Sequence, residues 1–101
     1  MNQVKLTLLC PAALSDRVLD VVTDGGGLTH GFTSFSASGH GREFINASLR
    51  EKVRGCVDTT IIMMILPAGA ADTLLAGLRS RFSNPQLVYW IEPMLAFGDL
   101  G

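Results

Sequence analysis

The sequence predicts an α+β protein of the ferredoxin-like βαββαβ class, with an antiparallel sheet of spatial order 4-1-3-2 and two helices on one face. Four strand-like and two helix-like segments follow one another in that order. Right-handed crossovers make this the compact arrangement for such a chain. The 101 residues, 48% of them hydrophobic, are enough for one core only. We therefore treat residues 1–101 as a single domain.

The first half of the chain predicts a strand, a helix and a second strand. Apolar residues alternate over residues 4–10, the period of a strand with one buried face. Over residues 14–22 the apolar side chains recur at helical spacing, and the glycines at 25–27 end that helix. Residues 32–38 are predicted to form the second strand.

The second half predicts the same order again. Residues 57–66 are β-branched and apolar, which indicates a central strand, and Pro67 ends it. An apolar stripe over 71–82 predicts the second helix, and residues 87–92 the fourth strand. Residues 94–100 are predicted to be an extended tail, with a short extra edge strand as the alternative.

One sheet face remains uncovered in this arrangement. The chain has too many large apolar side chains for a whole sheet face to stay in contact with water. Association of several copies through the uncovered face would bury these side chains. We therefore expect a homo-oligomer.

Charge and hydropathy exclude several classes of function. The net charge of -1 and the pI near 6.0 argue against nucleic-acid binding, which needs a basic face. The longest apolar run, residues 61–66, is too short for a membrane span, and the first residues lack a signal-peptide pattern. Two cysteines are typical of a reducing compartment. The expected location is the cytoplasm.

Segment 39–55 is the predicted functional loop. It is much longer than a hairpin turn needs, and long loops in small domains are commonly functional. It also contains much of the charge of a chain in which only 17% of residues are charged. The predicted ligand- or partner-binding residues of this loop are Gly39, His40, Gly41, Arg42, Glu43, Lys52, Arg54 and Gly55.

The predicted topology brings both cysteines and one histidine to the same edge of the sheet. Cys10 ends the first strand, Cys56 precedes the third, and His40 follows the second. Thiolate and imidazole ligands suit copper(I), zinc or cadmium, so these residues are a candidate transition-metal site. The alternative is that both cysteines are small buried hydrophobic residues, which free cysteines commonly are. No Cys-x-x-Cys spacing supports the metal site.

The motif Gly-His-Gly-Arg-Glu at 39–43, with Leu-Arg-Glu-Lys-Val-Arg-Gly at 49–55, resembles an uncharacterised family of PII-like proteins. Tyr-Trp-Ile-Glu-Pro at 89–93 also fits, so the resemblance covers nearly the whole chain. It implies a ferredoxin-like fold, a homotrimer and a long T-loop between strands two and three. Genes of that family often lie near heavy-metal efflux systems, which implies a role in metal homeostasis and a membrane transporter as partner.

The chain departs from the PII pattern between the second helix and the fourth strand. Nucleotide-binding PII proteins have a glycine-rich phosphate loop there, whereas residues 81–86 contain neither glycine nor lysine. ATP-type binding is therefore not expected; the alternative is that Arg79 or Arg81 reaches a phosphate from a neighbouring subunit.

Three classes of function follow from these observations. The first is a trimeric PII-like regulator that senses a small ligand or metal through segment 39–55 and docks on a partner. The second is a soft-metal buffer or sensor that uses Cys10, His40 and Cys56. The third, a small ferredoxin-like enzyme, is not expected, because no nucleophile, base and orienting acid occur together.

Overall fold

A computed structural model describes residues 2–24, 31–40, 56–83 and 87–101. The elements in chain order are β1 (Gln3–Pro11), a 3-10 helix (Ala12–Leu14), α1 (Ser15–Asp24), β2 (Thr33–Gly39), β3 (Val57–Pro67), α2 (Ala68–Arg81) and β4 (Val88–Pro93). The predicted βαββαβ order is confirmed. The predicted glycine cap at 25–27, most of segment 39–55 and residues 84–86 lie outside the described ranges.

The four strands form one sheet in the order β2-β3-β1-β4, and every neighbouring pair is antiparallel. This is the predicted 4-1-3-2 order viewed from the other edge. The long strands β1 and β3 lie in the middle, as expected for the most apolar strand segments. β2 and β4 are the edges.

The core lies between the sheet and the two helices. Alternate residues of β1 and β3 point toward the apolar faces of α1 and α2, because strand side chains alternate between the two faces. The buried core residues are Val4, Leu6, Leu8, Cys10, Val18, Val21, Val22, Ile62, Met64, Leu66, Ala71, Leu74, Leu75 and Leu78.

Helix α2 begins directly after Pro67 and ends at Arg81, with Phe82 as its C-cap. Pro67 is the last residue of β3, and it has no N–H to donate to a strand ladder or to the first turn of a helix. Phe82 has an extended backbone, but its N–H still donates to the carbonyl of Leu78 at 2.9 Å.

Among the described residues, no helix packs on the opposite sheet face, and we call it the open face. Its side chains are the other alternate residues of each strand, which follows from the cross-strand pairing. Leu9, Ile61 and Met63 are half-buried there. Phe35 on β2 and Trp90 on β4 remain 46% and 43% exposed. The prediction of two helices on one face is confirmed.

Residues 94–101 form no strand, so the alternative of an extra edge strand is not observed. The Met94 N–H donates to the Gln3 carbonyl at 3.2 Å, after which the tail runs along the end of β1. Leu95 and Leu100 are fully exposed. Over the described residues, no helix is long and apolar enough to cross a membrane.

Candidate functional site

The predicted loop leaves the sheet where β2 and β3 stop pairing. Gly39 and Val57 are the last paired residues, so His40 and Cys56 are the first residues beyond the ladder on the two chains. His40 is exposed, whereas Cys56 is buried. The predicted site residues Gly41, Arg42, Glu43, Lys52, Arg54 and Gly55 lie outside the described ranges, and their role stays a prediction.

Gly39 is required by the packing at this sheet end. A Cβ atom at this position would lie 2.8 Å from the Thr59 Oγ1 atom. That hydroxyl is buried and donates to the Val57 carbonyl at 3.0 Å, so it has little freedom to move aside. This steric conflict explains why the first residue of the Gly-His-Gly motif is a glycine.

Cys10 lies toward the same end of the sheet but is not a cross-strand neighbour of Cys56. The β1–β3 register pairs Cys10 with Thr60, four residues further along β3 than Cys56. At roughly 3.3 Å per residue, this offset is about 13 Å along the strand. The reason is that β1 ends at Pro11, opposite Thr59, before it reaches the level of Cys56.

The chemistry of Cys10 also differs from that of a typical metal ligand. The residue is fully buried in the helix-covered core, and this burial raises the pKa of its thiol. Metal binding requires the thiolate, which a raised pKa disfavours. Within the described ranges, no three His, Cys, Asp or Glu residues form a group suited to a metal ion.

The open face contains a buried hydroxyl at its centre. Thr7 is only 2% exposed, and its Oγ1 atom has no hydrogen-bond partner among the described residues. Thr7 lies opposite Met63 on one side and Trp90 on the other. An unpaired buried hydroxyl is unusual in a folded protein, so this position is a distinctive feature of the face.

A polar cluster occupies one end of the open face. The Lys5 Nζ atom lies 3.8 Å from the Glu92 Oε1 atom, which also accepts a hydrogen bond of 3.2 Å from the Trp90 Nε1–H. Lys5 and Glu92 are partly exposed, so this ion pair contributes only about 0–1 kcal/mol. Its clearer effect is to orient the Trp90 ring.

A second polar feature lies on the helix side, at the end of α2. The Arg79 Nη2 atom donates to the Tyr89 hydroxyl at 3.0 Å, and the guanidinium carbon lies 5.5 Å from the centre of the tyrosine ring. Sequence reasoning named Arg79 as an alternative phosphate contact and did not connect it with Tyr89. No motif or spacing signals this contact, because it depends on where β4 joins the sheet.

Solved structures with similar folds include PII-like proteins. A DUF3240 family protein of Shewanella baltica OS155 has a TM-score of 0.78 and 22% identity, with 100% of this chain and 99% of that chain covered. CPII of Thiomonas intermedia K12, a nitrogen regulatory PII-like protein bound to ADP, AMP and bicarbonate, has a TM-score of 0.72 and 18% identity over 99% and 98% of the two chains.

A candidate PII-like signalling protein of Thermus thermophilus has a TM-score of 0.64 and 19% identity, with 93% of this chain and 88% of that chain covered. No curated protein matches the chain. At these identities the likeness shows the fold, and it confirms the predicted resemblance to a PII-like family. The family model described as "Protein of unknown function (DUF3240)" matches residues 1–101, and the chain therefore belongs to the DUF3240 family.

Proposed function

We propose that this protein is a trimeric, non-enzymatic PII-like regulator. In this proposal, the protein is located in the cytoplasm. Segment 39–55 senses a small ligand or metal and docks on a partner such as a membrane transporter or efflux component. The observation that carries the proposal is the largely apolar open face of the sheet, which neither α1 nor α2 covers. PII-like structures such as CPII, described as nitrogen regulatory, support the regulatory part.

Burial of the open face supports the trimer. Each Å² of apolar surface removed from water contributes about 25 cal/mol, and large side chains on all four strands would be covered. Phe35 and Trp90 are each more than 40% exposed in the single chain, so they have the most to gain. Light scattering at micromolar concentration is expected to give three times the chain mass of 10.8 kDa. A monomer would contradict the proposed assembly.

Adenine nucleotides and bicarbonate are the first ligands to test, because CPII is bound to them. Residues 81–86 of this chain have neither glycine nor lysine for a phosphate loop, so we expect ADP and AMP to bind weakly or not at all. Calorimetric titration of the wild-type protein with each of the three ligands measures this directly. Tight nucleotide binding would show that other residues replace the phosphate loop.

The role of the long segment can be tested by deleting residues 43–54. We expect the deletion to leave the oligomeric state and the melting temperature nearly unchanged, because the paired strands end at Gly39 and Val57. We would test whether a transporter or efflux component encoded by a neighbouring gene co-purifies with the protein. Its co-purification with wild type, but not with the deletion variant, would support docking through this segment. Collapse of the fold would show that the segment is a structural element instead.

A soft-metal buffer or sensor is the second candidate function. The observation that favours it is the position of His40 and Cys56. Both residues lie directly beyond the last pair of the β2–β3 ladder, Gly39 and Val57, so the two strands bring them to the same end of the sheet. Zinc and copper(I) titrations of wild type and of Cys10→Ser, Cys56→Ser and His40→Ala variants test it. If only the Cys56 and His40 changes weaken binding, the site does not include the buried Cys10.

A further inference from the structure

A cavity of about 180 Å³ lies between the C-terminal half of α2 and the first residues of β4. Its floor is made by the buried side chains of Leu8, Leu75 and Leu78. Arg79 and Tyr89 also line the cavity, and because both are exposed they form its rim. The cavity therefore has an apolar floor and a polar opening toward solvent.

The volume is that of a small ring compound. An enclosed apolar cavity of about 150 Å³ binds benzene, so this cavity, which is open on one side, has room for a ring of that size. Because water gains nothing from a floor without hydrogen-bonding groups, an apolar ligand competes for this space without having to displace well-bound water. Phe82 and Leu87 also line the cavity.

The rim has a fixed positive charge. The hydrogen bond to the Tyr89 hydroxyl and the position of the guanidinium over the tyrosine ring hold Arg79 at the opening. Among the described residues, no carboxylate lies within ion-pair distance of Arg79. A guanidinium has five N–H donors in a planar arrangement that matches a carboxylate, and the tyrosine contact uses one of them.

We propose that this cavity binds a small organic acid with an apolar body, of about the size of benzoate. The ring or branched chain lies among Leu8, Leu75 and Leu78, and the carboxylate accepts hydrogen bonds from Arg79 beside the Tyr89 hydroxyl. The residues named for these contacts lie on β1, α2 and β4. None of them belongs to segment 39–55, and the proposal does not rest on the regulatory function proposed above.

The experiment titrates benzoate into the full-length protein at low ionic strength, followed by calorimetry and by amide chemical shifts. We expect Arg79→Gln to weaken benzoate binding at least ten-fold. Arg81→Gln is the matched control, because Arg81 has the same charge in the same last turn of α2 but does not line the cavity. It should change the affinity less than two-fold.

Three further comparisons separate the apolar and the charged parts of the site. Benzyl alcohol has the same ring without the charge, so it should bind wild type more weakly than benzoate and be insensitive to Arg79→Gln. Leu75→Phe fills the apolar floor of the cavity and should abolish the binding of benzoate and of benzyl alcohol. Acetate has the carboxylate without the ring, so it should not bind measurably to wild type or to any of the variants. If Leu75→Phe does not fold, the comparison of Arg79→Gln with Arg81→Gln and the titrations with benzyl alcohol and acetate still test the proposal.

Three results would overturn the proposal. The first is no benzoate binding to wild type, in which case Arg79 only packs against Tyr89 and the negative end of the α2 dipole. The second is equal loss of binding in Arg79→Gln and Arg81→Gln, which indicates a general charge effect. The third is acetate binding as tight as benzoate binding, which shows that the apolar floor takes no part.

Discussion

Leu9 and Ile61 lie directly opposite each other on β1 and β3, on the sheet face that neither helix covers. The same row continues to Phe35 on β2 and to Val88 on β4. All four side chains are apolar, and none is fully buried. A continuous apolar row across a whole sheet is what an interface with another copy of the chain would need.

A charge placed in this row should prevent association. We expect Ile61→Glu to convert the oligomer to a monomer of 10.8 kDa by light scattering while keeping the far-ultraviolet circular dichroism of wild type. The reason is that each copy would bring an unpaired carboxylate into an apolar interface. Ser36→Glu is the control, because Ser36 is an exposed residue of β2 on the opposite face. If the Ile61→Glu variant remains a trimer, the interface lies elsewhere.

The hydroxyl of Thr7 should destabilise the single-chain fold. It is buried without a hydrogen bond among the described residues, and an unpaired buried hydroxyl costs about 1–3 kcal/mol. Thr7→Val removes the hydroxyl and keeps the shape, so we expect the free energy of unfolding in urea to rise by about 1 kcal/mol. Thr7→Ser, which keeps the hydroxyl and loses the methyl group, should lower it. A large loss of stability in Thr7→Val would indicate that the hydroxyl is paired in the assembled protein.

Two glycines should respond in opposite directions to substitution by alanine. Gly39→Ala places a methyl group against the Thr59 hydroxyl and should lower the free energy of unfolding by about 1–2 kcal/mol. Gly77 lies inside α2 with open space around its Cβ position, so Gly77→Ala should raise it by about 0.5–1 kcal/mol.

The steric origin of the Gly39 effect can be isolated with a double variant. In a Thr59→Ala background the opposing Oγ1 atom is absent, so Gly39→Ala should cost much less there than in wild type. Chemical unfolding of the four proteins gives the coupling between the two positions. Equal costs in both backgrounds would exclude the Thr59 contact as the cause.

Cys10 should make the protein less stable in alkaline solution. Its thiol has a raised pKa in the folded state because of burial, so the unfolded chain releases the proton at a lower pH than the folded one. The stabilising effect of this group is complete below the unfolded thiol pKa of roughly 8.5 and is lost as the pH rises above it. The slope is at most about 1.4 kcal/mol per pH unit for one proton. Comparing unfolding at pH 8 and pH 10 for wild type and Cys10→Ala measures it, and an unchanged slope in the variant would exclude Cys10.

The apolar alternation of β1 was sufficient to predict both its extent and its core residues. Leu6 and Leu8 are buried as expected, because the side chains of a strand with one covered face point to the core at every second residue.

In β2 the same reasoning could not assign a face. Serines alternate there with Phe35 and Ala37, and the helices do not extend over this edge of the sheet. Phe35 therefore lies on the open face instead of in the core.

The sequence alone determined the order of the elements, the fold class and the position of the long segment between β2 and β3, because periodicity, proline and glycine act over a few neighbouring residues. Only the tertiary structure decided which residues meet. The register pairs Cys10 with Thr60 and not with Cys56, and the closing of β4 onto β1 brings Tyr89 to Arg79. Alternation within one strand assigns its residues to the two faces of the sheet, but the residue opposite each of them on the next strand depends on how the strands pair across the sheet.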